Sequence, residues 1–145
     1  KDVVIGAGSV LNVDTAREAI KAGSEFIVGP NFDELISEYC TEKNVEYIPG
    51  CFTPTEIVNA LNSGVKVVKL FPGEALGPSY IKAIKAPIKD VKVMVTGGVN
   101  LENLNEWLSS GADSVGIGSI LTSGTNNDRA KIAENARRFM EKAGE

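Results

Sequence analysis

Lys69 lies inside the apolar run Val65-Lys66-Val67-Val68-Lys69-Leu70-Phe71, which stops abruptly at Pro72-Gly73-Glu74. The β-branched residues predict a strand buried on both faces. Proline cannot donate to a β-ladder and glycine suits a turn, so Pro72-Gly73 ends that strand. An ammonium group in such a run loses much of its hydration, and desolvation favours the neutral amine. A neutral lysine at the carboxyl end of a buried strand is a candidate Schiff-base nucleophile toward a carbonyl substrate. The same side chain could instead snorkel to solvent or pair with a carboxylate. Lys66 is the contrast, since it opens the strand and can simply reach water.

Two further turns carry groups that bind anions. Thr96-Gly97-Gly98-Val99-Asn100 and Gly116-Ile117-Gly118-Ser119 each end an apolar run. Glycine lets backbone N–H groups approach an anion closely, and a short helix over 119–123 would add its N-terminal dipole. Gly97, Gly98, Gly118 and Ser119 are therefore candidate phosphate ligands, although such glycines could equally do no more than turn the chain. Gly6-Ala7-Gly8-Ser9 is a third turn of this kind, and the Ser9 hydroxyl could hold a carboxylate. Cys51 stands at another strand end. Histidine is absent from the chain, so nothing activates that thiol, and it reads as a small buried hydrophobe. The same absence removes Ser-His-Asp and Cys-His nucleophiles and histidine-ligated zinc.

These turns are positioned by a repeating unit. Strands are predicted at 1–9, 25–30, 45–51, 65–71, 91–98 and 114–119, each with Gly, Pro, Ser or Thr at its carboxyl side. Helices are predicted between them at 13–22, 32–43, 53–64, 77–85 and 100–111, with a last amphipathic helix over 128–142. Asn12 or Asp14 caps the first helix, with Ala16, Ala19 and Ile20 inward. The second turns Leu35, Ile36 and Tyr39 inward. Thr53-Pro54-Thr55-Glu56 is a capping box with proline in the first turn. Asn100 caps the helix of Leu101, Leu104, Trp107 and Leu108, and Trp107 and Phe139 read as packing residues. Strict βα alternation points to a (β/α)8 barrel or an open doubly wound sheet, and functional turns after every strand favour the barrel.

The bulk numbers agree with one α/β domain over residues 1–145. The chain has 145 residues, of which 43% are hydrophobic and 23% charged, enough for a core that needs no staple. A formal charge of −4 offers no basic face to nucleic acid or anionic lipid. No apolar run reaches membrane-span length, and Cys40 and Cys51 form no CxxC pair, which leads us to expect reduced thiols in the cytoplasm.

Taken together, the motifs resemble a known family. Gly6-Ala7-Gly8-Ser9-Val10, Phe26-Ile27-Val28-Gly29-Pro30, Pro49-Gly50, Thr53-Pro54-Thr55-Glu56, Lys69-Leu70-Phe71-Pro72-Gly73-Glu74, Thr96-Gly97-Gly98-Val99-Asn100 and Gly116-Ile117-Gly118-Ser119 follow in order. The chain resembles the 2-keto-3-deoxy-6-phosphogluconate (KDPG) aldolases, a family that includes 4-hydroxy-2-oxoglutarate (KHG) aldolases, across essentially its whole length. The resemblance implies a class I aldolase on a (β/α)8 TIM barrel, a homotrimer with no metal or other cofactor. It implies reversible cleavage of a 2-keto-3-deoxy sugar acid to pyruvate and an aldehyde, glyceraldehyde 3-phosphate or glyoxylate. Lys69 falls on the Schiff-base lysine. Ser9, a position usually threonine, falls on the pyruvate carboxylate site; Pro30 and Phe71 line the pocket. Thr96, Gly97, Gly98, Gly118 and Ser119 fall on its distal, phosphate-binding end.

One departure accompanies the match. The family's first two βα units have no counterpart, so this chain begins at what would be the third strand and corresponds to the C-terminal three-quarters of the barrel. The family's acid/base glutamate and carboxylate-binding arginine have no matching residue, and neither Glu56 nor Glu74 is assigned to those roles. The expectation is a stretch of a longer polypeptide, or a barrel completed by another chain or segment. Without the proton shuttle, turnover should fall by roughly 10²–10⁴. Two other readings follow: an inactive phosphate-binding or self-associating scaffold, and a different phosphate-handling barrel enzyme that does not use Lys69.

Overall fold

The computed structural model describes residues 3–144. Its parallel strands are β1 (Phe26–Val28), β2 (Glu46–Ile48), β3 (Gly50–Cys51), β4 (Val67–Leu70), β5 (Lys92–Thr96) and β6 (Ser114–Gly116). The helices are α1 (Val13–Lys21), α2 (Glu34–Glu42), α3 (Pro54–Asn62), α4 (Gly73–Leu76), α5 (Ser79–Lys85), α6 (Leu104–Ser109) and α7 (Arg129–Ala143), with a 3₁₀ turn at Ser119–Leu121. β1 pairs with β2, and β3-β4-β5-β6 form a second sheet in that order.

The two sheets meet within one stretch of chain. The expected strand over 45–51 is broken at Pro49, which has no N–H to give the ladder. Its carbonyl still accepts from Lys69 N–H at 2.8 Å, while Ile48 accepts from Gly29 N–H at 3.2 Å. β2 therefore serves β1 on one side and β3 serves β4 on the other. The strand expected over 1–9 is also shorter than its sequence suggests. Lys1 and Asp2 lie outside the described residues. Beyond them Ala7 N–H donates to Phe26 at 3.1 Å and Ala7 accepts from Val28 N–H at 2.8 Å, giving a single bridge, Ala7↔Ile27. Among the described residues this segment pairs with β1 alone, and Val3, Val4 and Ile5 are exposed.

Alternating burial shows where the helices stack. Ile27, Tyr47, Val68, Leu70, Val93 and Val95 are each 4% exposed or less and face the helices. They meet Ala16, Ile36, Ile57, Ile81, Leu104 and Trp107, also buried. Each aliphatic side chain sequestered this way contributes about 1.5–3 kcal/mol. The opposite strand face carries Lys69, Phe71, Met94, Thr96 and Gly116.

Helix ends follow local chemistry. Asn12, not Asp14, caps α1, its side chain accepting from Thr15 N–H at 2.8 Å. Asp33 caps α2, and Thr53 with Glu56 forms the expected capping box on α3. Three details differ from the sequence reading. Leu35 points outward at 61% exposure, because Ile36, Ser37 and Cys40 form the buried stripe of α2. The helix expected over 77–85 is α5, which begins at Ser79; Gly77, whose φ is +74°, and Pro78 separate it from α4, a single helical turn in the stretch read as a plain turn. Asn100 caps a preceding turn, not α6 itself: its side chain accepts from Glu102 and Asn103 N–H at 2.9 and 3.0 Å.

Candidate active site

The candidate nucleophile and substrate ligands lie at or beyond the carboxyl ends of the strands, and parallel strands bring those ends to one rim. Lys69 is the most enclosed of them. It pairs in register with Gly50 on one side and Met94 on the other, and is 8% exposed. Burial holds its amine below the usual lysine range, because removing water penalises the charged form. Its Nζ lies 4.3 Å from the centre of the Phe71 ring. Lys66 is turned outward and paired with Glu46 at 3.1 Å, as its position at the strand's start suggested.

Gly50, the register neighbour of Lys69, leaves room for another candidate. A Cβ at Gly50 would lie 2.1 Å from the Pro30 carbonyl oxygen, so the Pro30 backbone sits directly over that position. Ser9 follows the bridge residue Ala7 at the far end of the row, two strands from Lys69. It is exposed, with a left-handed backbone (φ +60°).

The five distal candidates converge. Thr96, Gly97, Gly98, Gly118 and Ser119 line one pocket of about 320 Å³, together with Val99, Asn100, Gly116 and Ile120. The Ser119–Leu121 turn stands where the short helix was expected. The Thr96 Oγ1 is buried and has no hydrogen-bond partner among the described residues. A buried hydroxyl left so is costly unless a ligand or water completes it.

The structure also shows supports that the sequence reading missed. A Cβ at Gly116 would stand 2.4 Å from Thr96 Oγ1, so only glycine there tolerates Thr96. Gly97 and Gly98 have φ of +94° and +74°, and a Cβ at Gly98 would meet Glu74 Cβ at 2.6 Å. Their lack of side chains thus serves packing of the 72–74 turn against the 96–98 turn, besides any approach of an anion. Asn103 braces that second turn, donating from Nδ2 to the Gly98 carbonyl and accepting from Asn100 N–H, both at 2.8 Å. A glycine inside a strand was a visible signal for Gly116; nothing local marked Asn103.

Two side chains are removed from the chemistry. Glu56 accepts from Phe52 N–H at 2.8 Å, Thr53 N–H at 2.7 Å and the Thr53 hydroxyl at 2.9 Å. Burial raises its pKa, but these bonds outweigh that and lower it, so the Glu56 carboxylate is committed to capping α3. Cys51 is buried, with its thiol pushed up to about 12 by desolvation, which suits the small hydrophobe expected. No group of three or more His, Cys, Asp or Glu side chains that could hold a metal occurs among the described residues.

A rim that combines an enclosed lysine with a glycine-lined pocket has counterparts. The family model "Aldolase: KDPG and KHG aldolase" matches residues 1–135. The chain belongs to the KDPG and KHG aldolase family. It is 39% identical over 119 residues to the 2-dehydro-3-deoxy-6-phosphogalactonate aldolase of Escherichia coli K12, covering 81% of this chain and 58% of that protein. It is 41% identical over 109 residues to the 2-dehydro-3-deoxy-phosphogluconate aldolase of Treponema pallidum, covering 74% and 52%. The chain thus spans a little over half the length of these relatives. Among solved structures it superposes on one described as native KDPGal with a TM-score of 0.91 at 35% identity, covering 97% of this chain and 68% of that one. A KDPG aldolase from Legionella pneumophila, solved with pyruvate captured as a covalent carbinolamine, superposes with a TM-score of 0.80 at 28% identity, covering 98% and 68%. The fold class is the expected (β/α)8 barrel type, present here as an open set of six parallel βα steps.

Proposed function

We propose that this chain carries the Schiff-base machinery of a class I aldolase. The reaction is reversible cleavage of 2-keto-3-deoxy-6-phosphogluconate, or of 4-hydroxy-2-oxoglutarate, to pyruvate and an aldehyde. The single observation that carries the reading is Lys69, an enclosed amine with lowered pKa at the strand-end rim. Its neutral form attacks the C2 carbonyl, giving a carbinolamine that loses water to an iminium. The C4 hydroxyl then gives up its proton, the C3–C4 bond breaks and the aldehyde leaves. The bonding pair flows into the iminium, forming an enamine. Protonation at C3 and hydrolysis return pyruvate and the free lysine. The proton acceptor is not assigned to any residue of this chain, since Glu56 is spent on its cap.

The other candidates take supporting roles in this reading. Ser9 binds the pyruvate carboxylate, and Pro30 and Phe71 wall the carbonyl end. Thr96 offers its unpartnered hydroxyl to the substrate. The backbone N–H groups of Gly97, Gly98, Gly118 and Ser119 hold the remote phosphate, with the Ser119 hydroxyl beside them. Their convergence on one pocket supports this assignment. Following the family resemblance, we read the working protein as a homotrimer in the cytoplasm.

Borohydride reduction in the presence of pyruvate tests the proposal. One reduced-pyruvate adduct, mapped to Lys69 and absent from Lys69→Met, is the expected result. An adduct at Lys66, or none on a folded chain, would overturn it.

A further inference from the structure

Among the described residues the glycine-lined pocket has no cationic side chain in its lining, and the whole chain carries a formal charge of −4. The Glu74 carboxylate lies behind the glycine turn, with Oε2 3.0 Å from where a Gly98 Cβ would be. Backbone dipoles there must hold a dianion against an unfavourable field. A second groove, of about 440 Å³, adjoins this pocket and shares Asn100 and Ile120 with it; Arg138 is among its lining residues.

Arg138 is placed there by α7. Asn135, one turn earlier, donates from Nδ2 to the Leu121 carbonyl at 3.0 Å, pinning that helix face to the Ser119–Leu121 turn. Positions three and four residues apart share a helix face, so Arg138 and the buried Phe139 follow Asn135 onto it. Arg138 makes no ion pair among the described residues, whereas Arg137 next to it is paired with Glu134. Glu102 lines the same groove without forming a salt bridge to Arg138. A guanidinium on a long, flexible stem and without a fixed partner can reach toward an anion.

We propose that Arg138 is a specificity-determining residue, the cation that draws the substrate's phosphate into the glycine pocket. The inference rests on the phosphate reading of that pocket and adds the charge which the pocket lacks. Arg138 would favour phosphorylated over unphosphorylated substrates and make binding salt-dependent. Because it acts at the groove and not at Lys69, pyruvate capture should not depend on it.

The test is a titration of the full chain with inorganic phosphate, followed at the backbone amides by NMR at low and moderate salt. In the unmodified chain, Gly97, Gly98, Gly118 and Ser119 should shift together. Arg138→Gln should shift the same amides with a Kd raised about three- to tenfold, the effect of one partly screened charge, and with a shallower salt dependence. Arg138→Lys should retain much of the affinity, and Arg137→Gln should leave it unchanged. Equal affinity in Arg138→Gln and the unmodified chain would overturn the role of Arg138 while leaving the pocket intact. Failure of the four glycine-loop amides to shift in the unmodified chain would remove the phosphate pocket itself, and the inference with it.

Discussion

Lys69 and Phe71 lie on the same strand face, two residues apart, with the lysine Nζ 4.3 Å from the ring centre. The ring acts on the amine in two opposed ways. Its π-face favours the ammonium by about 0.5–2 kcal/mol, while its bulk excludes the water that the ammonium needs. Burial lowers the Lys69 pKa, and the ring is part of the wall that buries it. Phe71→Ala should therefore return the Lys69 pKa toward the ordinary lysine value of about 10.4. Adduct formation needs the neutral amine, so its rate rises with pH and levels off above the pKa. The midpoint of that profile, read by borohydride trapping, should move up in Phe71→Ala, with a slower rate at neutral pH. A downward shift would show that the cation–π contact dominates.

Glu56 should prove structural. Its carboxylate serves two backbone N–H groups and the Thr53 hydroxyl at the head of α3. Glu56→Ala is expected to cost roughly 1–2 kcal/mol of stability, the usual value of an N-terminal cap. Its rate of pyruvate trapping should stay close to that of the unmodified chain. A collapse of trapping without loss of stability would instead place Glu56 in the chemistry.

Thr96 and Gly116 form a coupled pair across β5 and β6. A methyl at position 116 would press on Thr96 Oγ1 at 2.4 Å, so Gly116→Ala should cost roughly 1–3 kcal/mol. Thr96→Ala removes the obstructing oxygen, which has no partner among the described residues. The double variant should be destabilised by less than the sum of the two, with a coupling of about 0.5 kcal/mol or more. Strict additivity in denaturant melts would contradict this packing.

Asp113 supplies a pH-dependent staple away from the rim. Its Oδ2 accepts from Lys85 at 2.7 Å and from Val93 N–H at 2.8 Å. Partial burial pushes its pKa up, but the Lys85 and Val93 hydrogen bonds and the charges of Lys85 and Lys92 bring it below 3.8. The folded pKa thus lies under the unfolded one, so the staple's contribution is complete above pH ~5. It is lost as pH falls through 3.8 toward the folded value. Both partners are partly solvated, which limits the contribution to roughly 1 kcal/mol. Asp113→Asn should lower the thermal midpoint at neutral pH and lose that difference in acid.

Much of this architecture is local in origin and therefore visible in the chain. The βα alternation, the proline–glycine stop after the Lys69 strand and the Thr53–Glu56 cap depend on neighbours a few residues apart. So does the suspicion attached to Lys69, because an apolar run around a cation states its own desolvation problem. The inward set of α2 was misjudged at Leu35 because one short helix permits more than one apolar stripe. Only packing against β2 and α1 selects Ile36, Ser37 and Cys40.

What the sequence by itself determined was the order of the units, the strand-end placement of the chemistry and the family to which the motifs belong. Tertiary structure decided the rest, because it depends on residues distant in the chain being brought into contact. It broke 45–51 at Pro49 between two sheets, set Gly98 against Glu74 and Gly116 against Thr96, and tied Asn103 to Gly98. It also set α7 beside the 119–121 turn and brought Arg138 to the groove that adjoins the glycine pocket, a proximity that no spacing along the chain encodes.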